Sequence, residues 1–312
     1  MDCIENNSHD ALALVIRCLQ GISAVAVKAK IRTFQLIGCF VLLGMAGGCT
    51  TTLFPADGAG GGRSGGNTIS ENTANEANIG SLTDVIKRNP SDASAYNTRG
   101  TAYARIRQYD AALKDFNRAI QLNPAYTEAY ANRALLYRQL GKTDAALSDF
   151  TRAINSNANY APAYIGRGNL NRQKGNYTAA LDDLNNAIRL NPESAEAFHG
   201  RGLLYQREGK HQEALLDFNT AIDRNPFVAP PYLARGQSLS ALGRYDRALE
   251  DFNAALNVDN KLADAWAGRG LIYEKKNDRK AAVEAYQSAL TIDKNNTMAR
   301  QGMSRMGSGL FR

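Results

Sequence analysis

The sequence predicts an all-α solenoid, a stack of six helical hairpins closed by a capping helix at each end, and three observations predict it. A period of 34 residues runs without gap or insertion through units 93–126, 127–160, 161–194, 195–228, 229–262 and 263–296. Repeats of that size are supersecondary units that bury their apolar faces only against their neighbours. Small and large apolar residues recur inside each unit. An aromatic stands fourth (Tyr96, Tyr130, Tyr164, Phe198, Tyr232, Trp266), Gly or Ala eighth (from Gly100 to Gly270), Ala twentieth (from Ala112 to Ala282), and Phe, Leu or Tyr twenty-fourth (from Phe116 to Tyr286). The helix stops recur too. Gly141, Gly175, Gly209 and Gly243 fall at the fifteenth place, where a chain leaving a helix needs a left-handed residue; Asn277 can do the same, and Arg107 is the exception. Pro90, Pro124, Pro192 and Pro226 end the second helix of a unit, while Pro162, Pro230 and Pro231 lie in the first turn of a new one, where a missing N–H costs little.

Taken from its start, the chain opens on residues 1–48, which read as an export signal. Lys28, Lys30 and Arg32 precede an apolar run over 34–46, the charge-then-apolar order of such signals, and the run is short for a membrane span. It ends in Ala46-Gly47-Gly48-Cys49-Thr50, which resembles the lipobox of bacterial lipoproteins, with Ala46 where that pattern usually has Leu. The resemblance implies cleavage before Cys49 and lipidation of its thiol. Ordinary signal cleavage after Ala46 and an uncleaved anchor are the competing readings. The residues ahead of Lys28 fit a signal poorly; a start site placed too far upstream explains them, and a pair of membrane segments is the alternative. All four cysteines, Cys3, Cys18, Cys39 and Cys49, lie in this leader, so the folded part is expected to have no thiol for disulfides, metal sites or catalysis. Thr50 is not the Asp that in some bacteria holds lipoproteins at the inner membrane. The expected location is therefore the bacterial cell envelope, at the outer membrane facing the periplasm.

Residues 49–74 are rich in Gly, Ser and Asn with almost nothing to bury, the composition of a flexible tether. A helical pattern follows over 75–90, with Leu82, Val85 and Ile86 on one face; it aligns with the second half of a unit and is expected to cap the stack. Within each unit, folding the chain antiparallel about the fifteenth residue sets the eighth place opposite the twenty-second to twenty-fourth. Small residues there let the helices approach while aromatics fill the gaps. The same fold sets the seventh place, Arg in all six units (Arg99, Arg133, Arg167, Arg201, Arg235, Arg269), at the height of the twenty-third, Asp in the first five (Asp115, Asp149, Asp183, Asp217, Asp251). A ladder of bidentate ion pairs that fixes hairpin register is expected, with an anion-binding Arg column as the functional alternative. Ala285 breaks the rule in the sixth unit and leaves Arg269 to find Glu284 or Asp251. Residues 297–312 resemble a lone first helix and tail, with Met298, Met303 and Met306 as apolar cover.

These places resemble the tetratricopeptide repeat (TPR) pattern W-x2-L-G-x2-Y, A-x3-F, P over residues 93–296, with Arg at the seventh place where that family usually has Leu. The resemblance implies a right-handed superhelix whose inner surface, lined by the first helix of each unit, grips extended peptides or partner helices. On the second, fifth, ninth, twelfth and thirteenth places that surface carries Leu135, Ile165, Leu203, Leu233 and Leu271, and an arginine column Arg105, Arg138, Arg172 and Arg207 that stops at Ser240, Ala241 and Glu274. These nine residues are the candidate contacts for a partner segment that is acidic, or ends in a carboxylate, and carries apolar side chains. Arginines that are merely solvated, or paired with Glu128 and Glu196, are the alternative. Asn97, Thr101, Asn132 and Pro162 do not reproduce the two-carboxylate clamp of chaperone-binding members. Nor do the sixth places (Thr98, Asn132, Gly166, Gly200, Ala234, Gly268) form the asparagine ladder of the sugar-transferase relatives.

Composition narrows the function classes. The 312 residues carry a net charge of +7, with basic residues scattered among acidic ones, so no nucleic-acid partner is expected. His9 lies in the leader, His211 in a turn and His199 alone at a fifth place, from which no catalytic set, phosphate loop or metal cluster can be assembled. An enzyme and a cofactor are accordingly not expected. The expected role is a protein-interaction scaffold or adaptor held at the membrane by a lipid anchor. The alternative is a structural or pilot component of a secretion, pilus or polysaccharide export complex.

Overall fold

The computed structural model describes residues 65–308, which are helical throughout apart from short turns. The leader, Cys49 and the first part of the expected tether lie outside the described residues. Helix α1 spans Gly65–Arg88. Six hairpins follow: α2 (Ala93–Arg105) with α3 (Tyr109–Leu122), α4 (Thr127–Gln139) with α5 (Thr143–Ser156), and α6 (Ala161–Lys174) with α7 (Tyr177–Leu190). The second three are α8 (Ala195–Arg207) with α9 (His211–Arg224), α10 (Ala229–Ala241) with α11 (Tyr245–Val258), and α12 (Ala263–Lys275) with α13 (Arg279–Ile292). Helix α14 (Thr297–Ser308) ends the described chain. Among the described residues no helix is long and apolar enough to cross a membrane.

Helix α1 begins at Gly65, inside the segment expected as a tether and ahead of the helix expected over 75–90. That expectation rested on the segment having nothing to bury. Once the packed turns near Ile86 nucleate a helix, each further residue adds a hydrogen bond at little cost, and no proline interrupts the run.

Each hairpin turns where a left-handed residue stands. Gly141, Gly175, Gly209 and Gly243 have φ between 71° and 85°, and Arg107 and Asn277 take the same conformation at 62° and 61°. The turns between hairpins use a different device. Asn123, Asn157, Asn191 and Asn225, and then Asp259 and Asp293, end the second helices, and each side-chain oxygen accepts from the backbone N–H two residues on, at 2.9–3.2 Å. Such Asx turns redirect the chain without a glycine.

Packing explains the small residues. A Cβ on Gly100 would stand 2.9 Å from Phe116, and one on Gly202 2.6 Å from Phe218, so the eighth place is where the two helices of a hairpin close on the twenty-fourth. The same ring is gripped from its other side by the sixth place of the next unit: a Cβ on Gly166 would lie 2.2 Å from Phe150 Cζ, and one on Gly268 2.6 Å from Phe252 Cζ. At the C-terminal end Gly302 of α14 closes on Tyr286 in this way. Phe116, Phe150, Leu184, Phe218, Phe252 and Tyr286 are all at most 1% exposed, and together they form the spine of the stack.

The ion-pair ladder stands in five hairpins. Nε and Nη2 of Arg99, Arg133, Arg167, Arg201 and Arg235 donate to the two carboxylate oxygens of Asp115, Asp149, Asp183, Asp217 and Asp251 at 2.6–3.0 Å. Nη1 reaches back to Thr83 of α1 in the first hairpin, and in the next four to Asn117, Thr151, Asn185 or Asn219 of the preceding hairpin. Each rung thus ties a hairpin to itself and to its neighbour. The sixth differs from expectation, because Arg269 pairs with neither Glu284 nor Asp251. Glu284 is one residue off the ladder place and so turned about 100° around α13, while Asp251 is already held by Arg235 at 2.6 and 2.8 Å.

Candidate partner-binding groove

The first helices of successive hairpins, α2, α4, α6, α8, α10 and α12, touch one another in sequence and end on α14, whereas the second helices do not touch one another. The stack therefore curves with its first helices inside, and their free faces line a groove. Polar bridges cross from one hairpin to the next along it. Asn132 Nδ2 donates to Asn97 Oδ1 at 3.0 Å, and Asn169 Nδ2 to Glu196 Oε1 at 3.4 Å. Tyr126 and Tyr160, at the last places of the first two units, border this region; burial, and then the Glu128 carboxylate, push the Tyr160 hydroxyl up to about 12.

The four groove arginines are not equivalent. Arg105 is exposed. Arg138 is half-buried and engaged with a neighbour. Arg172 is half-buried, its Nε has no hydrogen-bond partner, and burial lowers its pKa. Arg207 lays its guanidinium over the Tyr177 ring at 4.2 Å from the centroid. Arg172 lies within electrostatic range of the same tyrosine and of His199. The structure thus gathers Arg172, Arg207, Tyr177 and His199 at the middle of the stack. His199 is half-buried against Phe218, and burial together with Arg172 lowers its pKa to about 4, so it is neutral at physiological pH. The positive charge gathered here is carried by Arg172 and Arg207 and not by His199.

The apolar candidates are more buried than a peptide-contact role requires. Ile165 is 7% exposed and packs with Ala187 and Ala197 between hairpins. Leu135, Leu203 and Leu233 are half-buried, each packed against an inter-hairpin cluster, and Leu271 is half-buried as well. Leu135, Leu203, Leu233 and Leu271 keep some surface toward the groove; Ile165 is core. The column stops at Glu274 because that carboxylate closes the end of the stack. It accepts from Arg305 Nε and Nη2 at 2.6 and 2.8 Å and from the Tyr286 hydroxyl at 2.7 Å. Sequence reading missed Tyr126, Tyr160 and Tyr177. The first two stand one period apart, and Tyr177 shares the seventeenth place with Tyr109 and Tyr245, which were the available signals; that Tyr177 meets Arg207 follows only from the stacking of one hairpin on the next.

Family models described as tetratricopeptide repeat or TPR repeat match residues 93–126, 131–185, 168–209, 195–227 and 233–297, together well over half of the chain. The chain belongs to the tetratricopeptide repeat family. Among solved structures, the fold of this TPR protein is similar to that in the APC/C hetero-tetramer Cut9-Hcn1, with a TM-score of 0.68 and 21% identity over 77% of this chain and 48% of that one. It is also similar to Pseudomonas aeruginosa PilF, with a TM-score of 0.63 and 17% identity over 70% and 99% of the two chains. PilW, a type IV pilus biogenesis factor, matches with a TM-score of 0.60 and 16% identity over 68% and 98%. The chain spans about half the length of the Cut9-Hcn1 chain it matches. At these identities the likeness is one of fold. A search of curated protein sequences finds no match.

Proposed function

We propose that this TPR protein is an adaptor of the bacterial cell envelope, lipid-anchored through Cys49 at the outer membrane and facing the periplasm, that binds an acidic segment of a partner protein in its groove. The observation that carries the binding reading is Arg172, a half-buried guanidinium whose Nε has no hydrogen-bond partner, beside the exposed Arg207. A buried cation left unsatisfied is costly, and a carboxylate laid along the groove supplies the missing acceptor. Arg105 and Arg138 extend the charge toward the N-terminal end, and the exposed parts of Leu135, Leu203, Leu233 and Leu271 offer shallow seats for apolar side chains. The anchoring reading rests on the sequence around Cys49.

The test is a fourfold Arg→Ala variant at 105, 138, 172 and 207, titrated against the partner captured from envelope extract at low and high salt. Each lost contact is expected to weaken binding by about 1–2 kcal/mol, with affinity falling as salt rises. Unchanged affinity with an unchanged helical spectrum sends the search to the outer face. Radiolabelled palmitate is expected to enter the wild type and not Cys49→Ala. A second reading, a pilot component of a pilus, secretion or export complex, draws on the fold shared with PilF and PilW, the latter described as a pilus biogenesis factor. The identity of the captured partner separates the two.

A further inference from the structure

The ladder on the outer side of the stack has one unfilled place. In hairpins one to five the guanidinium is held by an aspartate and by a side chain of the preceding helical element, and its carbon lies 5.6–5.8 Å from the centroid of the fourth-place ring. In hairpin six Ala285 stands where the aspartate would be. Arg269 Nε is buried without a hydrogen-bond partner, and the guanidinium has moved in to 4.7 Å from Trp266, with Tyr273 at 5.8 Å. Five filled copies in the same molecule define what is missing: one planar carboxylate accepting from Nε and Nη2.

The equivalent place in hairpin three opens to the surface. A cleft between successive second helices there is lined by Thr151, Arg167, Asp182 and Asp183, among others. Three periods on, the corresponding residues are Asn253, Arg269, Glu284 and Ala285, and the atoms of the aspartate side chain are absent. Asn253 is exposed, at the place whose counterparts accept from Nη1 in the other hairpins. Glu284 opposes an incoming anion. Its counterpart Asp182 has the same place beside the filled seat of hairpin three, so one such charge is compatible with a bound carboxylate.

We propose that Arg269, between α11 and α13 on the outer side of the stack, is a binding site for the carboxylate of an aspartate or glutamate side chain presented by a partner protein. The chemistry is that of the five internal rungs: a preorganised guanidinium fork, flanked by two aromatic rings, receiving a carboxylate edge-on. The site lies on the side of the stack opposite the groove and stands whether or not the groove reading does.

Trp266 is the only tryptophan of the chain, so its emission reports this place alone. The full chain is titrated with sodium acetate against sodium chloride at matched ionic strength, then with the peptides acetyl-Gly-Asp-Gly-amide and acetyl-Gly-Asn-Gly-amide. Acetate is expected to change the Trp266 emission saturably in the wild type by drawing Arg269 away from the ring. Ala285→Asp, which fills the seat from within as in the other five hairpins, is expected to show the acetate-saturated emission from the outset and no response. Arg269→Gln is also expected not to respond. The Asp peptide is expected to bind at least about tenfold more tightly than the Asn peptide, the ratio a charge-assisted bidentate pair supports. No saturable acetate response in the wild type, or an equal response in Ala285→Asp, overturns the site. Response to acetate with no preference for the Asp peptide overturns the protein side chain as its occupant.

Discussion

At the scale of single residues, the repeated Arg and Asp act through both geometry and charge. Asp183 accepts from Arg167 Nη2 at 2.7 Å and Nε at 3.0 Å, and from Asn171 at 3.4 Å, with its side chain only 6% exposed. Asp183→Asn keeps the shape and leaves a largely buried guanidinium without its counter-charge, which is expected to cost about 3 kcal/mol. The urea midpoint measures it, and an unchanged midpoint alongside lost partner binding would show that the ladder serves ligands instead. His199 offers a second test at this scale. Its pKa falls from 6.5 to about 4, through burial first and then Arg172. Between those values the unfolded chain binds a proton that the folded one does not, so stability falls as pH drops from about 6.5 to about 4 and levels off below. The loss is at most roughly 3 kcal/mol, less where solvent reaches the ring edge. Urea titrations at pH 7 and pH 5 are expected to show a larger loss for the wild type than for His199→Gln, and parallel losses would remove the histidine from the account.

At the scale of the hairpin, the turn and the two-sided grip on the spine decide the geometry. Arg107 holds φ 62° where four other hairpins have glycine. A residue with a Cβ pays for the left-handed region by about 1 kcal/mol, so Arg107→Gly is expected to stabilise the first hairpin by roughly that amount, read as a higher urea midpoint. No change would mean that the arginine side chain makes up the difference. The grip is less uniform than the turn. Gly166, Gly200 and Gly268 stand at the sixth place, but Ala234 stands there against Phe218 and Asn132 in the second unit, so the packing between neighbouring units does not require glycine at every step. Inter-hairpin spacing is therefore set locally, by the sixth place on one side and the twenty-fourth on the other.

At the scale of the whole molecule, each hairpin is stabilised by its neighbours, and the ends need cover. Helix α14 provides it at the C-terminus, where Met298, Met303 and Met306 pack on the cluster around Tyr286, and Arg305 and Tyr286 share Glu274. A chain ending after Asn296 is expected to expose Tyr286 and lose hydrogen-exchange protection in α12 and α13, while the hairpins from α2 to α7 keep theirs. Uniform loss of protection along the stack would mean that it unfolds as one unit and not by nearest-neighbour steps.

The sequence by itself determined the period, the hairpins, the left-handed turns and five rungs of the ladder, because all of these depend on residues within one unit at fixed spacing. Gly141 and its counterparts, or Arg167 and Asp183, meet through a geometry that an antiparallel helix pair imposes wherever it forms. The tertiary structure decided what depends on the rotation from one hairpin to the next. That rotation makes the sixth-place Gly166 the far wall of the Phe150 pocket, turns Ile165 into core, and brings Arg207 over Tyr177. The failure of Glu284 to replace the missing aspartate is, by contrast, internal to one unit, since one residue of offset turns the carboxylate about 100° away around its own helix. A pattern repeated along the chain specifies contacts within each copy, while contacts between copies follow from the small angle at which rigid units stack.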